Sequence, residues 1–268
     1  PHADSRMAHR CQNTLARSAE VRGWGLLSGA DVTLRLHPAP EHHGIAFQRV
    51  DLPGTPPIPA RLDYVVPRQR RTAISRGGAT VEMVEHVMAA LAGLQIDNCL
   101  VEIDSAEPPG GDGSSLHVLQ ALLEAGIQSQ SAERPLIVVE HECRVSGERD
   151  GSEIVAGPVP RRTMVITFEL DYGPRSPIRP QMLTFEFSPE VFITNFAYAR
   201  TFVLEAEAEA LKAQGYGKRV TPQDLVIFGP NGPIENPLRA VDECVRHKIL
   251  DCIGDFALMG CDVHGHFR

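Results

Sequence analysis

The sequence lacks the features that would assign it to several common classes. No stretch approaches the roughly 18 consecutive apolar residues of a membrane-crossing helix. The opening, PHADSRMAHRCQNTL, has no apolar core of the signal-peptide kind; Met7 is expected to begin the natural chain, with residues 1–6 as leftover leader. Basic residues are not in excess: 26 Lys and Arg face 34 Asp and Glu, a formal net charge of -8. Without a general basic field to attract phosphates, no nucleic-acid partner is expected. Cysteine occurs at 11, 99, 143, 244, 252 and 261, never as CxxC, which excludes a zinc ribbon and a thioredoxin motif. Cys99, in DNCLVEI, reads as a small buried hydrophobe, and Cys244 and Cys252 as packing on a helix. Free thiols of this kind fit a reducing, cytoplasmic location. There is no G-x-S-x-G elbow, so the simplest serine hydrolase is absent. GGDGSS lacks the Lys-Ser/Thr of a phosphate-binding loop and reads as a tight turn before a helix. No short repeat or low-complexity tract occurs.

What remains is an ordinary globular composition, 43% hydrophobic and 22% charged over 268 residues, enough for two domains or one large one. In the first half DVTLRLHPAP and GIAFQRVDLPG alternate apolar and polar residues and stop at prolines, as strands do. VEMVEHVMAALAGL is a run of helix formers, DNCLVEID a strand, and EPPGGDGSS a turn. SLHVLQALLEAGI is a second helix, with Leu116, Leu119, Leu122 and Leu123 expected on one stripe. QSQSAERP, polar and ended by proline, is expected to separate two domains, residues 7–130 and 131–268. The second half restarts with strands in PLIVVEHECRV, SEIVAGPV, TMVITFELDY and QMLTFEFS. The charged helix LEAEAEALKAQGYGK, a strand at DLVIF and a last helix follow. Strands followed by helices in each half predict an α+β class. The shared element order suggests a pseudo-duplicated pair of mainly antiparallel sheets packed with helices.

The last helix carries the chemistry. In VRHKILDCIGDF the residues Val245, Ile249, Leu250, Ile253, Phe256 and Ala257 recur at helical spacing. His247 and Asp251 are four apart, hence stacked on one face. Such a pair fits a solvated surface contact, and it equally fits two ligands aimed at one ion. A second histidine, His86, stands beside Glu85 in the helix that opens near residue 81. His86, His247 and Asp251 together would form a two-His, one-carboxylate set, a zinc-ligand combination that leaves a fourth position open. Glu85 beside a ligand would suit a general base. The same ligand types serve non-haem iron oxygenases, which usually hold the first His and the carboxylate in an H-x-D/E arrangement that is absent here. HPAPEHH, with His37, His42 and His43, reads as a solvated loop. Three basic residues beside Tyr216 in ALKAQGYGKR suit either a solvated helix end or a nucleotide diphosphate.

VEHVMAALAGLQIDNCLVEID, DGSS, ARTF and VRHKILDCIGDFALMG, with the early strand VTLRLHPAP, resemble the signatures of UDP-3-O-acyl-N-acetylglucosamine deacetylases, the zinc amidases of lipid A biosynthesis. The resemblance is collinear from about residue 11 onward. It implies two domains of similar topology with the active site between them, and a cytoplasmic hydrolase of lipid metabolism that removes acetate from a UDP-linked acylated amino sugar. It further implies that Zn2+ is held by His86, His247 and Asp251, and that Glu85 is the general base. Thr201 would stabilise the oxyanion, Phe202 would line the sugar site, and Lys248 would supply positive charge near the reacting carbonyl. Asp255 matches the residue that orients a catalytic histidine. An acylated substrate is compatible with transient contact with a membrane surface.

The match departs from the family pattern in places. GLLSG puts Leu27 where the family has a histidine, and Met83 stands where a small polar residue commonly precedes V-E-H. GKRVTPQD replaces a Gly-Gly loop, and PPGGDGSS replaces I-P-I-M-D-G-S. The family's S/G-G-H-x-L-N segment and final helix are not found before Arg268. His264 and His266 do not match that motif. The chain is therefore expected to be a truncated view of a longer protein with weak activity, its Asp255 lacking its histidine. These departures also define a second reading, a catalytically weak or silent member with an altered ligand that acts as a binding protein.

Overall fold

The structure, a computed structural model, describes residues 10–147 and 151–268; Met7, the expected start of the first domain, lies outside them. Alternating apolar residues build, among the described residues, a five-stranded and a six-stranded sheet that share one five-strand path. The first runs in the order Ala19–Trp24, Asp31–Pro38, Cys99–Ile103, Ile45–Arg49, Ile58–Pro59. Its neighbours pair antiparallel, antiparallel, parallel and antiparallel. The second runs Cys143–Ser146, Glu153–Gly157, Asp262–Phe267, Met164–Leu170, Gln181–Glu186, and its directions repeat that succession. Leu136–Val138 adds a parallel pairing to Asp262–Phe267. The duplication expected from element order is thus a duplication of strand order and direction, in a mainly antiparallel α+β fold.

Among the described residues five α-helices accompany the sheets: α1 Glu85–Gly93, α2 Leu116–Ala125, α3 Pro189–Asn195, α4 Glu205–Ala213 and α5 Glu243–Ala257. The helical run expected from residue 81 begins later. Ala79–Glu82 is a strand, and Met83, at φ 56, turns the chain into α1. A left-handed conformation is uncommon for a non-glycine residue, and here it makes Glu85 the first residue of the helix. The stripe of α2 is Val118, Leu119, Leu122 and Ala125, while Leu123 is exposed. QSQSAERP is not an irregular linker: Ile127–Glu133 is a strand, paired antiparallel with Cys11–Leu15.

The two halves share one apolar cluster. Val84, Val87, Met88 and Leu91 around α1 join Val245, Ile249, Leu250 and Ile253 on α5. The helices approach most closely at Gly254, where a Cβ would lie 2.9 Å from the carbonyl carbon of Glu85 and 3.1 Å from the amide nitrogen of Ala89. Only a residue without a side chain allows that approach. It sets the first turn of α1 against the C-terminal third of α5. Among the described residues no helix is long and apolar enough to cross a membrane.

Candidate metal centre

His86 and Glu85 sit in the first turn of α1 because Met83 ends the preceding strand; His247, Lys248, Asp251 and Asp255 project from successive turns of α5. The close contact at Gly254 brings the two sets together. His86 Nε2 lies 3.4 Å from Asp251 Oδ1, and His247 Nε2 lies 3.5 Å from the same oxygen. The two imidazoles meet edge to face with centroids 5.0 Å apart. All three ligand atoms fall within 4.8 Å of one another, the only such group of three or more found among the described residues.

The proton positions around this cluster follow from its neighbours. The carbonyl of Ala199 can only accept, so His247 Nδ1–H donates to it at 3.0 Å and leaves Nε2 with its lone pair. The carbonyl of Gly113 likewise takes the Thr201 hydroxyl proton at 3.0 Å. The Thr201 oxygen then faces His247 Nε2 at 3.2 Å, lone pair towards lone pair. Asp251 Oδ1 is buried and accepts no hydrogen bond among the described residues; its other oxygen accepts from Lys248 Nζ at 2.8 Å. Buried lone pairs converging without protons between them are costly unless a cation fills the space. Two imidazole nitrogens and one carboxylate oxygen are the donor set a zinc-like ion takes. The residues fit a metal ion.

The electrostatics agree for Asp251 and His247, whereas Asp251 favours the protonated form of His86. Burial pushes the Asp251 carboxyl up, but His247, Lys248 and His86 outweigh it and hold the group well below the usual carboxylate range. Burial, opposed by Asp251 but reinforced by His86 and Lys248, pulls His247 down to about 4, so it is neutral as a ligand must be. For His86 burial acts in the same direction, and the adjacent Asp251 carboxylate reverses it. The ammonium of Lys248 is disfavoured by burial and more than restored by Asp251. Glu85 is buried, and desolvation drives its carboxyl up to about 7. The backbone N–H of Thr72 donates to Glu85 Oε2 at 3.1 Å, while the Thr72 hydroxyl donates to Asp255 Oδ1 at 2.7 Å.

Phe202 stands beside the cluster, its ring centroid 6.1 Å from that of His247 and 5.9 Å from that of Tyr172. The structure therefore brings together Glu85, His86, Thr201, Phe202, His247, Lys248, Asp251 and Asp255, but not the other residues that the sequence singled out. Leu27 lies in the turn before Asp31–Pro38, its N–H held by the buried Glu107 carboxylate at 3.1 Å. His264 and His266 lie on the strand Asp262–Phe267, and His266 meets Thr167 at 2.8 Å. Of the basic residues beside Tyr216, Arg219 binds Asp31 at 2.7 Å and covers the Trp24 ring.

Several contributors were not legible. Thr72 bridges two carboxylates from outside any motif. Arg200 forms a buried ion pair with Glu243, and Ala199 fixes the tautomer of His247 through its carbonyl. A backbone carbonyl leaves no signal in a side-chain pattern.

The family model described as UDP-3-O-acyl N-acetylglycosamine deacetylase matches residues 12–268. Similar proteins named UDP-3-O-acyl-N-acetylglucosamine deacetylase occur in several bacteria. One from Geobacter sp. (strain M21) is 40% identical over 259 residues, covering 96% of this chain and 83% of the relative. One from Myxococcus xanthus is 39% identical over 261 residues, covering 95% and 80%. One from Thermosynechococcus vestitus is 36% identical over 256 residues, covering 96% and 87%.

Proposed function

The chain belongs to the UDP-3-O-acyl N-acetylglycosamine deacetylase family, and on that premise we propose that it hydrolyses the acetamide of a UDP-linked 3-O-acyl-N-acetylglucosamine in the cytoplasm, at a zinc ion held by His86, His247 and Asp251. The observation that carries the reading is the convergence of His86, His247 and Asp251, whose ligand atoms lie within 4.8 Å of one another around a buried Asp251 Oδ1 that accepts no hydrogen bond among the described residues. Zinc bound there would act as a Lewis acid on the amide carbonyl and on a water molecule. The rest is the work of the chain's own groups. Glu85, anchored by the Thr72 N–H and desolvated, takes a proton from the attacking water. The proton it then holds is available to the departing amine, so that acetate and the free amino sugar leave. The Lys248 ammonium faces the developing negative charge on the carbonyl oxygen, and the Thr201 hydroxyl, rotated away from the Gly113 carbonyl, donates its proton to it. Phe202 forms an apolar wall for the sugar ring. Asp255 holds Thr72, and through it the orientation of Glu85.

We read the chain as two units, residues 7–130 and 131–268, with the site between them; one large sheet on either side supports this, and the strand Ile127–Glu133 runs across the boundary. Release of acetate from the UDP-sugar, followed by mass spectrometry, tests the reading. It predicts product with the unmodified chain and none above background with Glu85→Gln at equal zinc content. No release, or equal release by both, would contradict it.

A further inference from the structure

We propose that the buried Arg200–Glu243 ion pair is a positioning device that holds the ring of His247 and the hydroxyl of Thr201 in register with each other. The inference rests on the reading of His247 as a metal ligand. Both partners are almost completely buried, at 4% and 1% side-chain exposure. Stability alone does not account for such a pair, because apolar residues of similar volume often serve as well or better. What the pair provides is directional anchoring. Arg200 directs its fork at two segments. Its Nε and Nη2 donate to the two oxygens of Glu243 at 2.8 and 3.0 Å. Its Nη1 donates to Asn236 Oδ1 at 2.6 Å, and Nη2 also to the carbonyl of Pro237 at 2.8 Å. Glu243 in turn accepts the backbone N–H of Arg200 at 3.1 Å and that of Arg239 at 2.7 Å.

The position of this knot gives it meaning. Glu243 lies in the first turn of α5, one helical turn before His247 on the same face. Arg200 lies between Ala199, whose carbonyl fixes Nδ1 of His247, and Thr201, whose hydroxyl oxygen faces Nε2. Both nitrogens of one ring are thus addressed by the residues flanking Arg200. The ion pair pins that three-residue segment to the helix carrying the ring. A slip of the segment along α5 would break the contact at Nδ1 and misdirect Thr201 together. Partners of this kind, outside the ligands themselves, commonly change metal affinity by about 10–100-fold.

The test uses the full chain stripped of metal, with zinc affinity read by chelator competition and folding read by thermal unfolding of the metal-free protein. Arg200→Met combined with Glu243→Gln removes both charges and keeps an acceptor for one of the two backbone N–H groups. It is expected to fold and to bind zinc at least about 10-fold more weakly. Leu34→Ala, in the core of the first sheet, is expected to lower the unfolding temperature while leaving zinc affinity within about 2-fold, since distant sites act independently. Zinc affinity unchanged in the folded double variant would overturn the proposal. Should that variant fail to fold, Arg200→Lys decides, because it keeps the charge and loses the fork: zinc affinity falling about 10-fold supports the pair's role, and no change overturns it. Failure of the unmodified chain to take up zinc would overturn the ligand assignment itself, and is distinguished by its own titration.

Discussion

Gly254→Ala should injure the site without touching a single functional group. A Cβ at this position would lie 2.9 Å from the Glu85 carbonyl carbon, and nearer still to its oxygen. Ordinary carbon–carbon contact begins at about 3.5 Å, so α1 and α5 would have to part by at least about 0.6 Å, and by roughly 1 Å to clear the oxygen. Overpacking of this kind costs about 1–3 kcal/mol, partly offset by about 0.5–1 kcal/mol from replacing a helical glycine with alanine. The net loss is roughly 0.5–2 kcal/mol, a fall of a few degrees in Tm. The functional effect should be larger. Glu85 and His86 stand on one helix and His247 and Asp251 on the other, so the separation passes directly into the site. A misplacement near 1 Å can lower turnover by about 100-fold. Thermal unfolding of the metal-free protein and steady-state acetate release would be measured side by side. Wild-type turnover in the alanine variant would refute the claim that this contact sets the geometry.

Glu85→Gln should keep its zinc and lose about 10²–10⁴-fold in turnover; metal analysis showing that zinc is lost too would reverse the assignment of base and ligand. His247→Ala and Asp251→Ala should each weaken zinc binding, since each removes one of three protein ligands, and chelator competition reads this directly. Phe202→Ala should raise KM more than it lowers kcat, because the ring contributes to sugar binding and not to bond breaking. Among the thiols, burial pushes Cys99, Cys244 and Cys252 up to about 12, so each stays neutral well above pH 8, whereas Cys11 and Cys143 are exposed. Alkylation at pH 8 followed by peptide mass spectrometry should label Cys11 and Cys143 first; early labelling of Cys99 in the folded protein would contradict the structure.

The residues of the site were legible because they ride on patterns with a period. The apolar stripe of VRHKILDCIGDF places His247 and Asp251 on one face, and the run after Met83 places Glu85 and His86 in one turn. What periodicity does not report is the distance between two helices far apart in the chain. That distance depends on Gly254, which a helical pattern registers only as a weak position. The start of α1 was misplaced for a local reason, since Val81–Met83 are as compatible with helix as with the strand that the neighbouring sheet imposes. QSQSAERP reads as a linker by composition, but pairing with Cys11–Leu15 makes most of it a strand; such pairing is a tertiary choice. The strand Asp262–Phe267 does alternate, with Val263, Gly265 and Phe267 buried between histidines.

Stepwise addition of zinc to metal-free protein, with acetate release from the UDP-linked 3-O-acyl-N-acetylglucosamine recorded at each step, tests the central claim most directly. The account predicts release that is absent without metal, rises with zinc and stops rising at about one equivalent, set by one three-ligand site. Release that is undiminished in the metal-free protein, or zinc that binds at one equivalent without any release, would contradict it.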